Sequence, residues 1–238
     1  MRSLRPFLFA LILFMLPLAS FALADKDASQ PLAKEKVSAA SGNFDETIFD
    51  DKLLIEGYTA KINAAPRDVL LSLINDDSIP AYRKAAAVRV FRDRFAYQMV
   101  EKEKTITERF LLRELERAES VYVQIEIMHT LLVMDRYRYF DTMIPTLIQK
   151  MDHYEKYAAE IAYASIVHVN DLGNQRAREA RIEFNTLRKI FFLTRRKLID
   201  ASDSDFRLRN KLELLRWAIK ALGTEELKNL PKEVINLM

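Results

Sequence analysis

The chain has 238 residues, half of them apolar and 30% charged, with four Gly, seven Pro and no Cys. That composition excludes collagen-like, disulfide-stapled and disordered classes, and the length suits one domain with a sizeable core. Thirty-seven basic residues stand against 34 acidic ones, a formal charge of +3.

At the start of the chain, Arg2 and Arg5 precede an apolar run over residues 7–18, then small residues and Ala22-Leu23-Ala24. A basic region, an apolar stretch and an A-x-A site are the parts of a secretory signal peptide, so cleavage is expected after Ala24. The alternative is an uncleaved membrane anchor, because residues 7–24 are just long enough to span a bilayer. Loss of residues 1–24 removes two Arg and no acid, which takes the charge from +3 to +1. A polycation that coats nucleic acid is therefore not expected. An exported chain without Cys must be held by noncovalent packing alone, and the expected compartment is the bacterial periplasm.

Residues 25–43 read as a disordered tether. They are rich in Ala, Ser, Lys and Asp, carry Pro31 and Gly42, and have too few large apolar groups to offset their ordering entropy. Only three Gly and four Pro punctuate residues 44–238, too few turn residues for a β-rich domain.

The apolar spacing of that body is helical. Val69, Leu70, Leu73 and Ile74 form a first stripe, and Ala85, Val88, Phe91, Phe95 and Met99 a second. Phe110, Leu111 and Leu115 follow, then Val121, Ile125, Met128 and Leu132, then Ile144, Leu147, Ile148 and Met151. Tyr157, Ile161, Ala164 and Val167 precede a long stripe of Phe184, Leu187, Phe191 and Leu198, and Leu208, Leu212, Leu215, Ile219 and Leu222 close the series. Each stripe is a face to be buried against a neighbour, so residues 44–238 are expected to be one all-α domain.

Two segments share an order of features. LLSLINDD (70–77) leads through Ile79-Pro80 to YRKAAAV (82–88), and IPTLIQKMD (144–152) leads to EKYAAEI (155–161). Each has an apolar helix, an acidic turn, a basic residue and then small Ala pairs. That order resembles the HEAT-type, broadly armadillo-like, helical repeat. The resemblance implies a right-handed stack of antiparallel helix pairs, with units of about 40 residues. It also implies that Asp76 or Asp77 with Arg83, and Asp152 with Lys156, register adjacent repeats, and that Ala86 and Ala159 sit at close helix contacts. An irregular helical bundle is the alternative.

Candidate chemistry is sparse. Glu126 and His129 form an E-x-x-H pair on one helical face, where a di-iron bundle uses two such motifs and two further carboxylates. His153 and His168 stand in unrelated contexts, so His129 is read as a satisfied helix histidine. A helical-bundle metal protein or enzyme built on Glu126 and His129 stays as the alternative function. No Cys, no G-x-S-x-G, no S-x-x-K and no Gly-rich phosphate loop is present, so neither catalysis nor a cofactor is expected. Tyr137-Arg138-Tyr139-Phe140 reads as half-buried packing.

Charge is polarised along the chain. Residues 44–77 hold eight acids against three bases, and residues 174–222 hold thirteen bases against six acids. Arg188, Lys189, Arg195, Arg196 and Lys197 are the candidate partner-binding residues, with a solvated face as the alternative. The expected partner is a protein or peptide, with lipid headgroups or a second copy of this chain as other anionic surfaces. The sequence thus points to an exported helical-repeat scaffold without catalysis.

Overall fold

The helical spacing is realised as α-helix throughout the residues that the computed structural model describes, 50–172, 177–198 and 205–238. The expected signal peptide (1–24) and tether (25–43) lie outside these residues. In chain order the helices are α1 (Asp51–Ile62), α2 (Arg67–Asn75), α3 (Ala81–Phe95), α4 (Glu101–Arg117) and α5 (Val121–Met134). They continue as α6 (Arg136–Lys150), α7 (Lys156–Asp171), α8 (Ala177–Leu198), α9 (Phe206–Leu222) and α10 (Lys232–Leu237), with a 3₁₀ turn over Thr224–Asn229. No described residue is in a strand, and the fold is all-α.

Local chemistry sets the boundaries. Asp50 caps α1 by accepting from the backbone N–H groups of Lys52 and Leu53, at 2.9 and 3.2 Å. Pro66 and Pro80 occupy the N-cap positions of α2 and α3, where a missing N–H costs nothing. Gly223 ends α9 with φ at +110° while its N–H bonds to the Ile219 carbonyl at 2.8 Å, a backbone conformation that disfavours any side chain. A single residue, Asp135, separates α5 from α6 and caps the second through Arg138 N–H.

The core runs through α5. Its Tyr122, Val123, Ile125, Ile127, Met128, Leu131, Leu132 and Met134 are all buried, because α3, α4, α6 and α7 pack around it. A stripe was the expectation there, and burial on every side is what the fold produces. In α2 only Leu70 and Ile74 of the expected stripe are buried, and Val69 lies at 47% exposure. In α6, Tyr139 and Phe140 are buried and Tyr137 is exposed.

Ala86 and Ala159, both expected at close helix contacts, are buried with almost no exposed surface. Helix α3 packs on α1, α2 and α5, so a larger side chain at Ala86 has no free volume to enter. Ala86→Leu is expected to destabilise the protein by about 1–3 kcal/mol through overpacking, read as a lower midpoint in urea. An unchanged midpoint would show that the site relaxes.

Asp77 and Asp152 bridge to later helices, with hydrogen-bond partners other than those the repeat pattern implies. Asp77 accepts from Lys84 at 2.9 Å and from Arg117, rather than from Arg83. Asp152 accepts from Lys211 on α9, while Lys156 stands 3.7 Å from Glu160. Asp76 is turned inward on Ser78, whose backbone N–H it accepts at 2.8 Å. Helical phase decides these pairings: the cation on the face towards the acid is one residue on, or belongs to another helix.

Candidate functional site

Three helices contribute to one cleft. Arg89 and Arg92 are three apart on α3, Glu126 and His129 are three apart on α5, and Tyr157, Ile161, Ser165 and His168 follow one face of α7. Together with Asp93 and Ala164 they line a space of about 450 Å³.

Glu126 is the anchor. It is 2% exposed, and a carboxylate so far from water needs charged partners. Arg89 donates from Nε to Glu126 Oε1 at 2.8 Å and again from Nη2, while Arg92 donates from Nη1 to Oε2 at 2.5 Å. On its outer side, Arg92 Nε donates to Asp93 Oδ1 at 2.9 Å. Arg89 reaches the Tyr157 hydroxyl at 3.3 Å.

The hydrogen bonds then run on in a fixed direction. A guanidinium can only donate, so Arg92 Nη1, 2.8 Å from His129 Nδ1, makes that nitrogen an acceptor. The neutral His129 ring therefore carries its proton on Nε2, which lies 2.8 Å from His168 Nδ1. His168 in turn carries its proton on Nε2, 3.3 Å from the Tyr97 hydroxyl. Burial, helped by Arg92, holds His129 well below the usual histidine value of 6.5, and the same two causes lower His168. Both rings are neutral at pH 7, as the direction of the hydrogen bonds requires.

The E-x-x-H pair is thus buried and partnered, and His129 is bonded at both ring nitrogens. His168, which the sequence places in an unrelated context, is brought to it across 39 positions. The carboxylate that a metal would take already accepts from two guanidinium groups. Among the described residues no three His, Asp or Glu side chains stand together as a metal site.

The basic segment of α8 divides into two kinds of cation. Arg178 is paired with Asp141 at 2.6 Å and Arg181 with Glu226 at 2.7 Å. On α9, Arg207 donates to the His153 and Tyr154 carbonyls. Among the candidate residues, Arg188 is half-buried with its guanidinium 6.0 Å from the Phe184 ring. Lys189, Arg195, Arg196 and Lys197 are exposed. Phe192 and Leu193 stand among them at 45% and 78% exposure. Sequence reasoning passed over these two, although the stripe of Phe184, Leu187 and Phe191, buried along its length, with Leu198 partly buried, already placed them off the inner face of the helix.

A further acid lies deep inside the fold. Glu183, on the inner face of α8, has no exposed surface, and neither carboxyl oxygen reaches a hydrogen bond of ordinary geometry. Burial pushes its pKa up to about 8, against the opposing pull of Asn170 and Arg136.

No family model matches the chain, and comparison with curated proteins and with solved structures finds none that is similar to it.

Proposed function

We propose that this chain is an exported helical-repeat scaffold that holds an acidic protein partner on the last turns of α8. The observation that carries the reading is the exposure of Phe192 and Leu193 among Lys189, Arg195, Arg196 and Lys197. Exposed apolar side chains ringed by one sign of charge suit a partner that buries the former and complements the latter. The cations steer and orient, and the two apolar residues supply the area removed from water.

The packing order supports a stack of helix pairs. Helices two apart in the chain lie together, α1 with α3, α3 with α5, α5 with α7 and α6 with α8, as stacked helix pairs require. The signal peptide expected over residues 1–24 would deliver this body to the bacterial periplasm, and an uncleaved segment would leave it at the membrane. Among the described residues no helix is long and apolar enough to cross a membrane.

Reversal of charge tests the surface. Arg195→Glu with Arg196→Glu is expected to abolish the crosslinked partner in the envelope fraction and to leave the helical circular dichroism unchanged. The wild-type crosslink should weaken with salt, because exposed charges are screened over about 10 Å at 0.1 M. If the reversed protein keeps every partner at low salt, the cations only solvate the end of α8 and favour its dipole.

A further inference from the structure

We propose that the cleft between α3, α5 and α7 is a carboxylate-binding site, with Arg89, Tyr157 and His168 as its donors.

Counting donors and acceptors leads there. The internal network uses the acceptors of the cleft floor: both Glu126 oxygens receive guanidinium N–H groups, His129 Nδ1 receives Arg92, and His168 Nδ1 receives His129. Donors are left over. Arg89 Nη1 has two N–H groups and spends one on the Tyr157 oxygen, at a long 3.3 Å. The Tyr157 oxygen accepts from Arg89, and its own O–H has no acceptor among the described residues. His168 Nε2–H is held only by the exposed Tyr97 hydroxyl, also at 3.3 Å. The rim carboxylate Asp93 turns one oxygen back onto Arg92.

A cleft floor that offers donors and has its acceptors occupied takes a group that only accepts, and an ionised carboxylate is such a group, with the second oxygen of Asp93 left facing solvent at the rim. Ile161 and Ala164 give it an apolar wall, so the ligand carries a short aliphatic portion beside the carboxylate. About 450 Å³ accommodates a small organic acid or the last residue of a peptide. The directed chain from Arg92 through both imidazoles serves this site by fixing the His168 proton on the outward nitrogen. It does so without a net positive charge on either ring, which keeps the donor in place at neutral pH. This inference does not rest on the α8 surface, which is on another helix and uses other residues.

The test uses the full chain with its histidine side chains observed by NMR. Probes are butyrate, a short uncharged peptide with a free C-terminal carboxylate, and the same peptide amidated. Either free carboxylate is expected to shift the His168 and His129 ring signals saturably, and the stronger of the two identifies the source. Tyr157→Phe keeps the ring and deletes one donor, and should weaken that binding roughly tenfold, as expected for a hydrogen bond to a charged group. His168→Phe should weaken it comparably. Absence of any saturable shift up to about 10 mM, at the weak end of small-ligand affinity, would overturn the proposal. So would an amidated peptide that binds as well as the free one, or a Tyr157→Phe protein of unchanged fold and unchanged affinity.

Discussion

Replacing Glu126 by Ala is expected to cost about 3–5 kcal/mol, because it leaves Arg89 and Arg92 facing each other in a buried site without their shared anion. Arg92 is only 7% exposed and cannot swing out to water without opening the α3–α5 contact. Part of the charge would be answered by Asp93, which already accepts from Arg92 Nε, so the lower half of that range is expected if Asp93 follows the guanidinium. For a body of this size the loss corresponds to a fall in Tm on the order of 10 °C in a calorimetric scan. The companion variant separates charge from shape. Glu126→Gln keeps the volume and removes the negative charge, and should recover little, whereas Glu126→Met combined with Arg92→Met should cost less than Glu126→Ala alone. Buried ion pairs often replace well with apolar residues of similar volume, and the coupling between the two positions measures what the pair contributes. If Glu126→Ala melts within a degree or two of the wild type, the network is hydrated and worth little.

Glu183 should make the protein less stable as pH rises through the neutral range. Its pKa in the folded state is about 8 against 4.5 for the free side chain, so the folded protein binds this proton more tightly than the unfolded chain does. The stability that goes with the neutral acid is fully present below pH 4.5 and is lost progressively up to about pH 8, above which the fold must bury a charged carboxylate. The span between those limits corresponds to a loss on the order of 3–5 kcal/mol. Glu183→Gln cannot ionise and fills the same space, so its stability should lack this fall and exceed the wild type at pH 9. Its amide also retains a donor and an acceptor towards Asn170. The check is a pair of urea-unfolding series between pH 5 and pH 9, compared for wild type and variant. Parallel curves would mean that Glu183 is ionised and paired throughout.

Both predictions concern groups whose type was visible in the sequence and whose situation was not. Glu126 and His129 were legible as a pair because i and i+3 share a helical face whatever the helix packs against. Arg89, Arg92 and His168 were not, since nothing in a single helix's pattern says which other helix will stand opposite it. The acid at position 183 looks like any charge on an amphipathic helix until α6 and α7 close over it. Turn acids Asp77 and Asp152 were rightly placed near the starts of new helices, yet their partners Lys84, Arg117 and Lys211 follow from helical phase and from helices far along the chain.

The all-α class was determined by the sequence alone. Apolar groups recur at helical spacing over residues 50–238, and Gly and Pro are too few to turn a sheet, so backbone hydrogen bonds are satisfied locally within each helix. The stop at Gly223 and the openings after Pro66 and Pro80 are local in the same sense, being set by the φ and the N–H of one residue. Tertiary structure alone decided that α5 is buried on every side, that Arg178, Arg181 and Arg207 are spent on Asp141, Glu226 and backbone carbonyls, and that Phe192 and Leu193 remain exposed. Periodicity reports the direction in which one helix faces. Burial, ion pairing and the direction of a hydrogen-bond chain depend on which side chains meet that face, and those come from residues 30 to 70 positions away.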